Sequence, residues 1–154
     1  MSELDEWIDG AQRTHRSVTL YTRADLIADL DRLDREIQIA READEPTDDL
    51  DAAWEDTARR FHESALTITV RGLTDAEFRA IRTQANIDKV DASTLGARLL
   101  AEAIVSPPFT VEQLLALEDK VGEAQIGRIV AAYTLASREQ PPEPIAPADV
   151  KETP

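Results

Sequence analysis

The chain has 154 residues, 17 Lys and Arg against 31 Asp and Glu, a formal net charge of −14, and no cysteine. Such a polyanion is repelled by a phosphate backbone and by anionic lipid headgroups, so neither a nucleic-acid partner nor a membrane partner is expected. The missing thiols remove disulfide frameworks, thiolate zinc sites and cysteine nucleophiles together.

Apolar residues make up 42% and aromatics only 5%, which points to a core of Leu, Ile, Val and Ala, the habit of helical proteins. One domain is expected over residues 1–138. The acidic start, Met1 to Glu6, lacks the basic and apolar regions of a secretory signal. Leu99 to Val105, the longest apolar-rich stretch, falls far short of the ~20 residues that span a bilayer.

Ser2 and Asp5 form a capping-box pattern, and Leu4, Ile8 and Ala11 then share one face of a short helix weakened by Gly10. Ser17 to Tyr21 is β-branched and alternating, which predicts a strand with Val18 and Leu20 on one side. From Thr22, with Asp25 as a second capping box, Leu26, Ile27, Leu30, Leu33, Ile37 and Ala40 recur at helical spacing. Asp44 to Thr47 breaks this helix at Pro46, and Asp48 to His62 predicts another, with Leu50, Trp54, Ala58 and Phe61 in one stripe. Residues 22–63 therefore read as an antiparallel helical hairpin. Leu66 to Arg71 alternates as a second strand, with Leu66, Ile68 and Val70 inward, and Gly72 ends it.

The second half predicts four helices. Thr74 and Glu77 cap the first, striped by Phe78, Ile81 and Ala85. Leu95, Leu99, Leu100, Ala103 and Ile104 stripe the next, from about Asp91 to Val105, which Pro107-Pro108 ends. Thr110 and Gln113 open a third, and a fourth from about Gly122 carries Ile126, Ile129, Val130 and Tyr133 on one side. After Arg138 five prolines and few apolar residues predict a disordered tail over 139–154. The expected fold class is α+β and helix-dominated, with two short strands that flank the hairpin and pair with each other in an undetermined direction.

Charge is uneven along the chain. Residues 25–63 carry a net −9, whereas residues 64–105 are neutral. A solvated helix face explains the hairpin's charge without a partner; a projecting arm that repels copies of itself or meets a basic partner is the sharper alternative.

Catalytic signals are thin. His15 and His62 stand in no metal spacing, and the acids from Asp44 to Asp51 lack the mid-loop glycine and terminal Glu of an EF-hand. No nucleophile elbow or Gly-rich phosphate loop occurs. No enzyme, metal or cofactor is expected. Trp7, Trp54 and Tyr133 sit at helical spacing beside aliphatic residues and are expected in the core. Leu114, Leu117, Ile126, Ile129, Val130 and Tyr133 either close that core or form a groove for an amphipathic partner helix.

The order of segments is similar to that of a known family. The acidic start from Ser2 to Trp7, Arg16-Ser17-Val18-Thr19-Leu20-Tyr21, the acidic hairpin, Ile68-Thr69-Val70-Arg71-Gly72-Leu73, Thr110-Val111-Glu112-Gln113-Leu114 and Val121-Gly122-Glu123-Ala124-Gln125 together resemble the tail assembly chaperones of long-tailed actinobacterial phages and prophages. The likeness spans about residues 2–138 and includes no catalytic residue. It implies a protein of the host cytoplasm that holds the aggregation-prone tape-measure protein while tail-tube subunits assemble, and that is absent from the finished virion. The tail-tube protein, a frameshifted longer form of the chain and a homo-oligomer are further partners in this reading. Leu114, Leu117, Ile126, Ile129 and Tyr133 are the expected partner-binding residues. The competing readings are a structural head–tail or tail component of the virion, and an acidic inhibitor that mimics nucleic acid.

Overall fold

The computed structural model describes residues 2–138; the tail expected at 139–154 lies outside them. The elements run α1 (Glu3–Asp9), β1 (His15–Tyr21), α2 (Leu26–Glu42), α3 (Asp48–Glu63), β2 (Ala65–Arg71), α4 (Asp75–Asp88), α5 (Ala92–Ala103), β3 (Ile104–Ser106), α6 (Val111–Val121) and α7 (Glu123–Arg138). The fold is α+β and dominated by helix. No helix among the described residues is long and apolar enough to cross a membrane.

The sheet has the order β1-β2-β3 and is antiparallel throughout. β1 and β2 pair in unbroken register from His15 opposite Arg71 to Tyr21 opposite Ala65. One sheet face is polar: Ser17 bonds Thr69 at 2.9 Å and Thr19 bonds Thr67 at 3.0 Å, hydroxyl to hydroxyl. The other is apolar, and its alternating residues Val18, Leu20, Ile68, Val70 and Ile104 pack under α5, α6 and α7 with Leu100, Leu114 and Ile129.

Three details differ from the sequence reading. Ile104 to Ser106 leaves the expected helix and becomes β3, opposite Thr69 and Val70 across a register shift. Its backbone groups find acceptors and donors on β2 that a last helical turn ahead of two prolines would lack. The Thr22–Asp25 capping box does not form. The Thr22 N–H and hydroxyl both point to the Ser64 carbonyl, extending the strand pairing, while Asp25 accepts two bonds from the Arg23 guanidinium. Leu66 shares the face of Ile68 and Val70 but is 41% exposed, because β3 reaches only as far as Thr69 and leaves this end of β2 uncovered.

The capping boxes at Ser2, Thr74 and Thr110 are all formed. α2 and α3 pack on each other through Leu33, Ile37, Ala40 and Ala58, while the rest of the molecule packs among other elements. The hairpin is thus an arm, joined at its root by the Tyr21–Phe61 ring stack (4.4 Å between centroids) and by the Arg23 N–H donated to Ser64 Oγ.

Two close approaches hold the base of the sheet. A Cβ on Gly72 would lie 2.7 Å from the Ala136 carbonyl oxygen and 3.0 Å from Ser137 Cα, so only glycine lets the end of α7 cross here. Glu77 accepts the Thr74 N–H at 2.9 Å and an Arg13 N–H at 2.6 Å, and Arg13 also donates to the Gly72 carbonyl. The Thr74 backbone bond, then its hydroxyl, then Arg13 hold the Glu77 carboxyl below its ordinary value of 4.5.

Gly72→Ala is expected to cost about 1–3 kcal/mol, measured by urea unfolding, because both obstructing groups are backbone. A carboxyl whose folded value is depressed adds stability that is present above the unfolded value and lost as pH falls through the folded one. The thermal-stability deficit of Glu77→Gln should therefore be present at neutral pH and shrink below the ordinary value of 4.5.

Candidate functional site

Leu114 and Ile129, two of the five expected partner-binding residues, are 3% and 0% exposed and belong to the core against the sheet. They are unavailable for contact because they close the apolar face of β1 and β2. Leu117, Ile126 and Tyr133 pack on that core only in part.

Ile126 and Tyr133 line one side of an open apolar groove of about 250 Å³ between α5 and the α6–α7 pair. Val130, one turn from each and 43% exposed, completes that side. Leu99, Leu100 and Gly96 of α5 form the opposite wall, and Glu118 of α6 also lines it. A Cβ built on Gly96 meets nothing within 4 Å, so the absent side chain leaves room in the groove rather than relieving a clash. Leu117 faces elsewhere. It lines a shallower depression with Pro107, Pro108, Phe109 and Lys120.

The α5 wall is the part that sequence alone does not show, where Leu99 and Leu100 look only like core. Its signal is the spacing of Ala92 and Gly96, and of Ser93 and Ala97, two small-residue pairs four apart that thin one helix face beside the leucines.

Trp7 is 72% exposed rather than in the core. α1 has only seven residues, none of them buried, and leaves Leu4 and Ile8 exposed beside it. Tyr133 is half-buried in the groove wall. Trp54 is half-buried on the hairpin, beside Ile37 and the carboxyl-bearing Asp34, Asp51 and Glu55; its indole N–H is buried without an acceptor among the described residues.

Among the described residues, titratable groups add no second centre. Among the described residues no cluster of three or more His, Asp or Glu side chains is arranged to hold a metal ion. The lowered carboxyls each trace to a local donor: Asp5 to the Ser2 cap, Asp91 to Thr94 at the start of α5, Asp25 to Arg23, and Asp88 to Arg98 and Gln84. His15 is exposed, and exposed His62 places Nδ1 2.7 Å from the Ala58 carbonyl oxygen.

No protein-family model, curated protein or solved structure matches this chain.

Core and groove residues on the same helix should separate by stability. Ile129→Ala is expected to cost about 2–5 kcal/mol, since it opens a cavity at a fully buried site. Val130→Ala, one residue on, should stay within about 1 kcal/mol; chemical denaturation of both variants checks the contrast.

Proposed function

We propose that this protein is a tail assembly chaperone of a long-tailed phage or prophage, which binds the tape-measure protein in the host cytoplasm and leaves before the virion is complete. The observation that carries the reading is the open apolar groove of α5, α6 and α7, set on a molecule whose charge is concentrated in a separate arm. An amphipathic helix placed in the groove buries its apolar stripe against Leu99, Ile126, Val130 and Tyr133. A groove of this size covers only a turn or two of such a helix. Each contact is weak, many copies along a long filament add up, and departure is easy when tube subunits compete for the same stripe.

The arm has the complementary part. Residues 25–63 hold nine of the fourteen net negative charges and face solvent over most of two helices. Filaments coated with such arms repel one another, which opposes association through stripes not yet covered.

Co-expression with the tape-measure protein from the same locus tests the proposal. The tape measure should stay soluble and be retained in a pull-down, and Val130→Glu should reduce retention about tenfold or more with the fold intact. Equal solubility without the chain, and nothing retained, would sink it. Mass spectrometry of purified particles should find the chain absent; its presence at stoichiometric amounts would make it a virion component instead.

A further inference from the structure

We propose that the outer edge of β1 pairs with the same edge of a second copy of this chain, joining two three-stranded sheets into one six-stranded sheet about a two-fold axis at Ser17. The two edges of the sheet are unlike. β3 has three residues, joins β2 across a register shift and runs directly into Pro107-Pro108. Short, bulged and proline-ended edges resist pairing with another chain. β1 has seven residues, no glycine or proline, and an unbroken register with β2. Nothing in its backbone discourages a further strand.

The direction of its backbone groups follows from two bonds. Thr22 N–H donates to Ser64 one step past the ladder, and Tyr21 N–H donates to Gln125 Oε1 instead of to β2. Hydrogen-bonded pairs with β2 therefore fall at Leu20, Val18 and Arg16, while the N–H and C=O groups of His15, Ser17, Thr19 and Tyr21 point outward. The hydroxyl contacts of Ser17 and Thr19 across to β2 agree, since side chains lie closest in the non-hydrogen-bonded pairs. Among the described residues, only the Tyr21 outward N–H has an acceptor.

An antiparallel self-pairing sets outward residues opposite outward residues when the axis lies at 17, 18 or 19. At 18 or 19, Tyr21 is drawn into the new ladder and Gln125 must release its amide. At 17, Ser17 faces its own copy, His15 faces Thr19, and the Gln125 bond survives.

α7 supplies an independent reason for a second copy. It lies across both β1 and β2, with Ile129, Ala132 and Ala136 buried toward the sheet and Ile126, Val130 and Tyr133 toward the groove. Its remaining side, Ala124, Arg128, Ala131 and 51% exposed Leu135, lies on the flank turned away from the groove, next to Gln125, which reaches the outward Tyr21 N–H of β1. Strands ~4.8 Å apart across the new pairing would bring this flank of one α7 toward the same flank of the other, alanines and Leu135 facing their copies. The two grooves stay open on the outer sides.

Charge permits approach here. Residues 10–24 contain no acid, and of their three arginines Arg13 is paired with Glu77 and Arg23 with Asp25, so the chain's net −14 is not concentrated at this edge. Repulsion between the remaining acids should make salt strengthen the dimer, the reverse of a complex held by ion pairs.

Analytical ultracentrifugation of the full chain tests the inference. A dimer is expected at about 100 µM, strengthening as salt rises from about 0.01 to 0.3 M. Thr19→Pro removes an outward N–H while sparing the β1–β2 ladder and should weaken the dimer about tenfold or more, as should Leu135→Asp. Ser17→Cys, in a chain with no other thiol, should be joined by a short bifunctional thiol reagent far faster than Thr67→Cys on the inner strand. Amide exchange of the unaltered chain gives a reading free of variant folding: protection at Ser17 and Thr19 should rise with protein concentration. A monomer at the highest concentration and salt, equal cross-linking at both thiols, or concentration-independent exchange at these amides would overturn it.

Discussion

The burial of one face of β2 is the constraint on which the rest of the molecule depends. Ile68 and Val70 are fully buried, and so is Ile129 above them. A three-stranded sheet with one solvated face has no other cover, so α5, α6 and α7 must converge on these residues. α7 can settle across β1 and β2 only because Gly72 has no Cβ to meet the carbonyl of Ala136. Arg13 and Glu77 then tie the loop before β1 to the turn after β2 at the same end. Packing, close approach and ion pair thus secure one corner together.

The helical hairpin lies outside that constraint. It has its own small seam of Leu33, Ile37, Ala40 and Ala58, and Thr57 is buried with its hydroxyl donated to the Ala53 carbonyl at 2.8 Å. Because it does not share the sheet's core, its surface is free to carry charge that a packed helix pair could not. A molecule so divided exposes apolar surface in one part and electrostatic repulsion in another, the combination on which the proposed chaperone role rests.

Much of the local structure was legible from short patterns. Ser2, Thr74 and Thr110 each sit three residues ahead of the side chain that completes the cap, and all three boxes form because the interactions are local. The same pattern at Thr22 failed because Ser64, forty-two residues away, took the hydroxyl and N–H first. Ile104 continued the helical stripe in sequence but gained ladder bonds by leaving the helix. Leu114 and Ile129 could not be told from Ile126 and Tyr133 by periodicity, since one stripe on a helix serves the core on one flank and a groove on the other. Trp7 illustrates the opposite limit: an aromatic at the right spacing is 72% exposed on a short helix with no buried residue.

The sequence by itself determined the acidic surface, the two long strands with their inward residues save Leu66, the helical hairpin and the four helices that follow, because periodicity, capping and charge act over a few residues. Only the tertiary structure decided that the hairpin stands apart, that α5 forms the far wall of the groove, and that β1 and β3 are the two edges of the sheet. These depend on which distant segments compete for the same backbone groups and the same buried face, and no local pattern contains that competition.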